Sequence, residues 1–354
     1  YLAKTDRDVI YEQMLVDLET AATLVPWRSE AGGSNTRITK AAVKGLRARI
    51  ALARAGYSLR REPRLMTQGS NPQVYYKIAY DECKEIIQSG QHGLNANFEA
   101  VFRALHDNTQ DAANEVIYAA GAFGGNSRTD SKIGYYNGMR HDNASSWQSS
   151  GGINAIATYF YEFGKFDGRR DITVASIQIN ASNQAIPTTG VLSTDGKYRK
   201  SWTSITGSSQ NLAIDWPMIR YSDILLMFAE ADNELNGSPS AEAVNAVQQV
   251  RNRAYAANLG QAGTIPTDKT GFFNYIVQER LLEFGGEGLR KYDLIRWNLL
   301  ATKITETKQK LAELQNGTGR YANVPSIIYY KVTPYDRTRS AAAQISAMDY
   351  YVPA

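Results

Sequence analysis

The chain has 354 residues, of which 43% are hydrophobic and 21% charged, enough apolar content to bury a large core. Its 39 Lys+Arg against 35 Asp+Glu leave a net charge of only +4. The basic residues are scattered, which argues against the stripe that a nucleic-acid partner needs. No run of about 18 apolar residues offers a membrane-spanning helix, and the lone cysteine, Cys83, has no intramolecular disulfide partner.

Tyr1-Leu2-Ala3 shows neither Met nor a signal peptide, so the start is expected to follow a processing or cleavage boundary. Thr5-Asp6 caps a predicted helix running to Leu24, with Ile10, Met14, Leu18 and Ala22 on one face and Pro26 ending it. Thr39 caps a second helix, whose apolar stripe is Val43, Leu46, Ile50 and Ala53; Gly56 closes it. Asn71-Pro72 opens a third, which carries Tyr75, Ile78, Ala79, Glu82 and Ile86 and stops at Gly90. Glu82 interrupts that stripe, so the face is expected to be only partly buried. Cys83 falls inside this helix, as a small apolar residue would. Residues 114–123 read as a short strand around Val116-Ile117-Tyr118.

From 124 to 215 Gly, Ser, Asn, Thr and Tyr dominate, and no helical period persists except across 153–163. Loops this long inside a compact domain usually carry function. Helices return at 219–235, stopped by Gly237, and at 240–257, 271–284 and 291–304. Short turns make consecutive helices antiparallel neighbours, of tetratricopeptide-like type without that repeat's strict signature. The expected fold is mainly α, stacked helical hairpins with a long loop-rich insertion and little β. Its segments are helical hairpins at 1–125 and 216–305, a loop-rich region at 126–215 expected to bind the ligand and an irregular tail at 306–354, all one domain.

Charge of both signs concentrates at Arg220, Asp223 and Glu230, and at Glu279, Arg280, Glu283, Glu287, Arg290, Asp293 and Arg296. At these separations Arg and carboxylate can bridge helix to helix. Glu283 and Glu287 would also serve as the acid/base pair of a glycosidase. The surrounding arginines favour a structural ion network instead, because they hold both carboxylates ionised. His92, His106 and His141 lack metal-ligand spacing, and His92 and His106 are expected to be solvated in polar connectors. No nucleophile elbow, phosphate loop or dinucleotide fingerprint occurs; Gly285-Gly286-Glu287-Gly288 follows a helix and reads as its stop. No cofactor is implied.

Tyr, at 22 copies, outnumbers Phe, at 10. Tyr135, Tyr136, Arg140, His141, Asn143 and Trp147 cluster in the loop-rich stretch, and Tyr198 with Trp202 forms a second group. Flat rings stack on the apolar faces of pyranoses while Arg and Asn bond to hydroxyls, so Tyr135, Tyr136, Arg140, Trp147, Tyr198 and Trp202 are candidate ligand contacts. The alternative is that the rings pin the loops onto the helices.

Three segments taken together resemble the SusD/RagB family: TRITKAAVKGLRAR at 36–49, DWPMIRYSDILLMFAEA at 215–231 and IVQERLLEFGGEGLRKYDLIRW at 276–297. Phe166-Asp167-Gly168-Arg169-Arg170-Asp171 is similar to its mid-chain Asp-x-Arg element, and Tyr350 to Pro353 to its C-terminal aromatic-to-proline run. The resemblance implies a non-catalytic surface lipoprotein of Bacteroidetes that captures glycans and delivers them to a SusC-like TonB-dependent transporter. It implies an outward-facing place on the outer membrane, through a lipid anchor and early helices expected to lie before Tyr1; Cys83 is not that anchor's site. A peptide-binding member of the family, or a scaffold for protein partners alone, is the alternative.

Overall fold

A computed structural model describes residues 4–62, 64–124, 128, 130–188, 190–325 and 327–349; the aromatic-to-proline run at 350–353 lies outside them. Two compact units interleave along the chain. The first takes Tyr1–Ala96, Gln110–Ala120 and Pro217–Lys303; the second takes Asn97–Thr109, Gly121–Trp216 and Ile304–Ala354. Together they make a mainly helical fold with few, short strands.

The first unit is built of helices packed both on sequence neighbours and across the chain: Pro72–Gln88 and Lys269–Glu283 both pack on Tyr221–Asn236. Arg7–Leu24 begins where the Asp6 carboxylate accepts the Asp8 N–H at 2.8 Å. Its inward ridge is Tyr11, Leu15, Leu18 and Ala22, in steps of four, three and four that keep pace with 3.6 residues per turn. The expected ridge through Ile10 and Met14 advances by four each time and drifts off the face. Those two side chains are 47% and 37% exposed.

Lys40–Ala55 packs against Arg7–Leu24, Pro72–Gln88 and Tyr221–Asn236. It is buried on most sides, with alanines at 41, 42, 48, 51 and 55 letting its neighbours approach closely. Leu46, by contrast, is turned outward. Glu82 does not hold its face half open, as the sequence suggested; it is buried. Lys44 donates to it at 2.7 Å, and Arg47 donates to its other oxygen. Paired in this way, a charge can enter a core.

Ile219 lies in a strand, Trp216–Arg220, that pairs with Val116–Ala120; the helix Tyr221–Asn236 follows directly. Ser240 caps Ala241–Ala254 and Asp268 caps Lys269–Glu283, through the N–H groups of Ala243 and Gly271. The helix predicted at 291–304 is divided into Arg290–Arg296 and Leu300–Asn316, with Asn298 in the left-handed region at φ 57° between them. The second of these reaches well into the tail expected to be irregular. Its Lys, Glu, Gln, Leu and Ala content is strongly helix-forming, Leu300, Ile304, Leu311 and Leu314 recur along it at helical spacing, and none of its residues is fully buried.

The second unit holds the loop-rich stretch. Its helices are mostly single turns, Ile133–Tyr136, Ala157–Phe160 and Arg170–Thr173, beside the longer Phe98–His106. Ile177–Ile179, Gln184–Pro187 and Thr333–Pro334 form a small antiparallel sheet in that order. Small clusters serve as its core, one of them Tyr135, Tyr198, Leu212 and Ile214.

The ridge assignment is checked by truncation. Leu15→Ala should lower the unfolding free energy in urea by about 2–4 kcal/mol, whereas Ile10→Ala should change it by less than about 1 kcal/mol.

Candidate ligand-recognition site

The charged residues around Arg220 and Asp223 in the first unit form two knots. In one, the buried Arg220 guanidinium donates to Glu115 at 2.7 Å, to Glu283 at 2.9 Å and to both oxygens of Glu287 at 2.8 Å. Arg253 closes the knot, donating to Glu115 at 2.8 Å and to Glu283 at 2.6 Å. Burial alone would lower the Arg220 pKa, but the three carboxylates outweigh it and raise it well above its ordinary value.

In the other knot, Asp223 accepts from Arg280 and from Arg49, both at 2.6 Å. Burial works to raise its carboxyl pKa; the two guanidiniums reverse this and hold it below the usual range. Arg280 also donates to Asp293 at 2.8 Å, and Arg296 joins Asp293 to Glu230. Glu279 accepts from Arg251, and Arg290 donates to the Val277 carbonyl. The corner after Lys269–Glu283 turns through Gly286 and Gly288, at φ 80° and 78°, values that favour glycine. This turn brings Glu287 back to Arg220. Both Glu283 and Glu287 are thus engaged by guanidiniums. Glu115, Arg253, Arg49 and Arg251 were not marked in the sequence, being far from their partners along the chain.

The aromatic residues divide by exposure. Tyr198 stacks on Trp216 with ring centres 5.2 Å apart, and Phe102 meets its edge. Trp202 lies beneath the guanidiniums of Arg103 and Arg199, at 4.5 and 4.8 Å. Tyr198, Trp202 and Tyr135 are all buried: protein covers their rings, which pin the loops. Tyr136 is 41% exposed, and Arg140 and Trp147 are half-buried. The Tyr136 hydroxyl donates to Gln210 at 3.1 Å, and its ring meets Tyr135 edge to face at 4.9 Å.

Trp147 rides on a hairpin in which His141 pairs with Ser149 and the Asp142 carboxylate accepts the Ala144 N–H. It packs against His141 and Tyr335, and the Arg337 guanidinium lies 5.9 Å from its ring centre. Tyr335 and Arg337 come from the C-terminal part of the chain, where no local signal pointed to them. Arg140 donates to the Gly151 carbonyl at 3.3 Å.

The histidines correct the sequence reading: His92 and His106 are buried, not solvated, as is His141. His106 ends the helix Phe98–His106, with Nδ1 2.7 Å from the Phe102 carbonyl and Nε2 accepting the Arg199 N–H at 3.0 Å. These bonds assign the neutral tautomer with its proton on Nδ1. Burial, assisted by Arg103 and Arg199 against the Phe102 bond, pushes its pKa down to about 4. Burial, with Arg199 and Lys200, takes His141 to about 3. Among the described residues no group of His, Cys, Asp and Glu could hold a metal ion, and no helix is long and apolar enough to cross a membrane.

Two measurements follow from this geometry. Glu283→Gln should lower the unfolding free energy by about 3–5 kcal/mol, because Arg220 and Arg253 are left partly unpaired. A variant that folds normally but loses a hydrolytic activity would reverse the assignment. For His106 and His141 the folded pKa lies below the unfolded value of about 6.5. The folded state therefore binds fewer protons, and their contribution is complete above about pH 6.5 and lost as pH falls through about 4 and about 3. Denaturation midpoints should drop on acidification across this window, and His106→Gln should flatten part of the slope.

The SusD family model matches residues 55–354. Two SusD-like proteins of Formosa agariphila are 38% identical over 93 residues and 43% identical over 107. Those matches take in 26% and 29% of this chain but only 17% and 20% of the relatives. The fold superposes on a SusD homologue of Bacteroides thetaiotaomicron with TM-score 0.77 and 25% identity, over 89% of this chain and 64% of that one. Surface glycan-binding protein A of the same organism, solved in complex with laminarihexaose, gives TM-score 0.61 at 21% identity, over 82% and 62% of the two chains. Another solved structure, with a xylogluco-oligosaccharide, gives 0.64 at 17%, over 87% and 63%. The interleaved helical unit, the motif order along the chain and the match over 55–354 agree: the chain belongs to the SusD family.

Proposed function

We propose that this chain is a non-catalytic glycan-binding protein of the bacterial cell surface. It captures oligosaccharides and passes them to a SusC-like TonB-dependent transporter while lipid-anchored at the outer membrane. The observation that carries the reading is family membership, together with two loop-borne rings, Tyr136 and Trp147, that keep exposed surface. Such rings stack on the C–H faces of pyranoses. Arg140, Gln210 and the exposed Asn143 supply polar groups nearby in the loops for sugar hydroxyls. Glycan complexes of proteins with the same fold support the ligand class. A hydrolase is disfavoured because Glu283 and Glu287, the carboxylates best spaced for it in the sequence, are bound by Arg220.

A glycan array followed by isothermal titration, with laminari- and xylogluco-oligosaccharides included, tests the reading. Trp147→Ala and Tyr136→Ala should each weaken glycan binding about tenfold, or 1.4 kcal/mol, with the fold retained; Trp147→Ala should also lower the unfolding midpoint, because its ring packs on His141 and Tyr335. Binding to extended peptides and to no glycan would replace the reading by the peptide-binding alternative. Co-purification with a SusC-like transporter tests the delivery step.

A further inference from the structure

Lys200 is the least ordinary charge in the second unit. It opens the short helical turn Lys200–Trp202 and has no exposed surface. Burial is the only influence that shifts its ammonium, down to about 8, with no carboxylate offsetting it. An uncompensated buried ammonium is costly. What it does make is three hydrogen bonds to backbone carbonyls: Gln148 at 2.9 Å, Gly207 at 2.6 Å and Ser209 at 2.6 Å. An ammonium has three N–H donors and no more, so all are used.

The three carbonyls belong to two loops, and each loop adjoins one ring that keeps some exposed surface. Gln148 follows Trp147, and the Gly207 N–H donates to the Ser146 carbonyl at 2.9 Å, stitching the two loops together. Ser209 precedes Gln210, which accepts the Tyr136 hydroxyl. Under the ammonium, 5.3 Å away, lies the ring of Tyr135, whose neighbour in edge-to-face contact is Tyr136.

We propose that Lys200 is a positioning residue that makes Trp147 and Tyr136 one recognition surface, by fixing both of their loops from beneath. It touches no ligand itself. The proposal rests on the reading of those rings as glycan contacts, and it adds a prediction that reading does not make. An oligosaccharide long enough to engage both rings needs Lys200; a short one that engages one ring does not.

The test combines hydrogen exchange of the unliganded protein with titration against laminaritriose and laminarihexaose. Lys200→Met keeps the apolar stem and removes the donors. It should raise exchange at least tenfold in residues 145–149 and 206–210, while the helix Tyr221–Asn236 exchanges as before. The hexasaccharide should lose its affinity advantage over the trisaccharide, whereas a general loss of stability would weaken both alike. Lys200→Arg, which keeps the charge but offers a planar fork to converging carbonyls, serves if the Met variant does not fold and should show the same pattern more weakly. Unchanged exchange in both loops would overturn the proposal. So would loosened loops with an intact hexasaccharide advantage. If the wild-type chain binds no glycan at all, the functional reading falls separately, and the exchange data still decide whether Lys200 holds the loops.

Discussion

The first unit depends on the ion knot around Arg220. Its guanidinium joins Glu115, beside the strand Val116–Ala120, to the end of Lys269–Glu283 and to the glycine corner beyond. The same residue stands at the start of Tyr221–Asn236. Four pieces of backbone, drawn from three distant stretches of sequence, thus meet on one side chain. A buried ion network of this kind adds little net stability over an apolar equivalent. Its effect is on geometry: a misplaced helix would leave a guanidinium or a carboxylate buried and alone, which is far worse than a poorly packed leucine. The bidentate contact to Glu287 adds direction, since a planar fork accepts its partner in one orientation.

Beside ion pairs such as Arg169–Asp167, the second unit uses three of its cations differently. Among the described residues, Lys200, Arg199 and Arg103 bond chiefly to backbone carbonyls: Arg199 to Gly196 and Asp171, Arg103 to residues 337 and 339, Lys200 to its three. Carboxylates there do the converse job. Asp130 takes the N–H groups of Phe123 and Gly124, and Asp215 takes that of Ala122. The reason lies in backbone accounting. Helices satisfy their own peptide groups, but a stretch of single turns and two- to four-residue strands leaves many unpaired, and buried ones must find partners. Side-chain charge at these residues thus serves the loops, whereas in the first unit the knots serve helix packing.

This difference explains what the sequence did and did not disclose. Helix positions were legible because apolar spacing and caps such as Ser240 and Asp268 are local. The inward ridge of the first helix was read one residue off at Ile10 and Met14, since a run of i+4 steps looks regular in sequence but rotates around a real helix. The helix Leu300–Asn316 was read only as far as 304, although Leu300, Ile304, Leu311 and Leu314 continue at helical spacing. Arg220, Glu283 and Glu287 were visible as a charge cluster, but Glu115 lies 105 positions before Arg220, and no local pattern connects them. In the loops no period exists to say which ring faces in. Tyr135 and Tyr136 are adjacent, yet one is enclosed and the other exposed. Tyr135 packs with Tyr198, Leu212 and Ile214, all more than sixty residues away.

The enclosed rings bear on how a capture site of this kind would work. Most of the candidate aromatics hold loops in place, and their burial is what keeps Tyr136 and Trp147 presented without a ligand to order them. Preorganisation of this sort spares a ligand the entropy of fixing the loops. Two stacking rings contribute roughly 1–3 kcal/mol beyond surface burial, a modest sum. A protein whose proposed task is to receive an oligosaccharide and then release it to a transporter needs that balance: rigid loops for fast recognition, and few enough contacts that the ligand can leave. On the proposed reading the tyrosine-rich composition serves two ends at once, with the hidden rings setting the geometry in which the exposed ones would act.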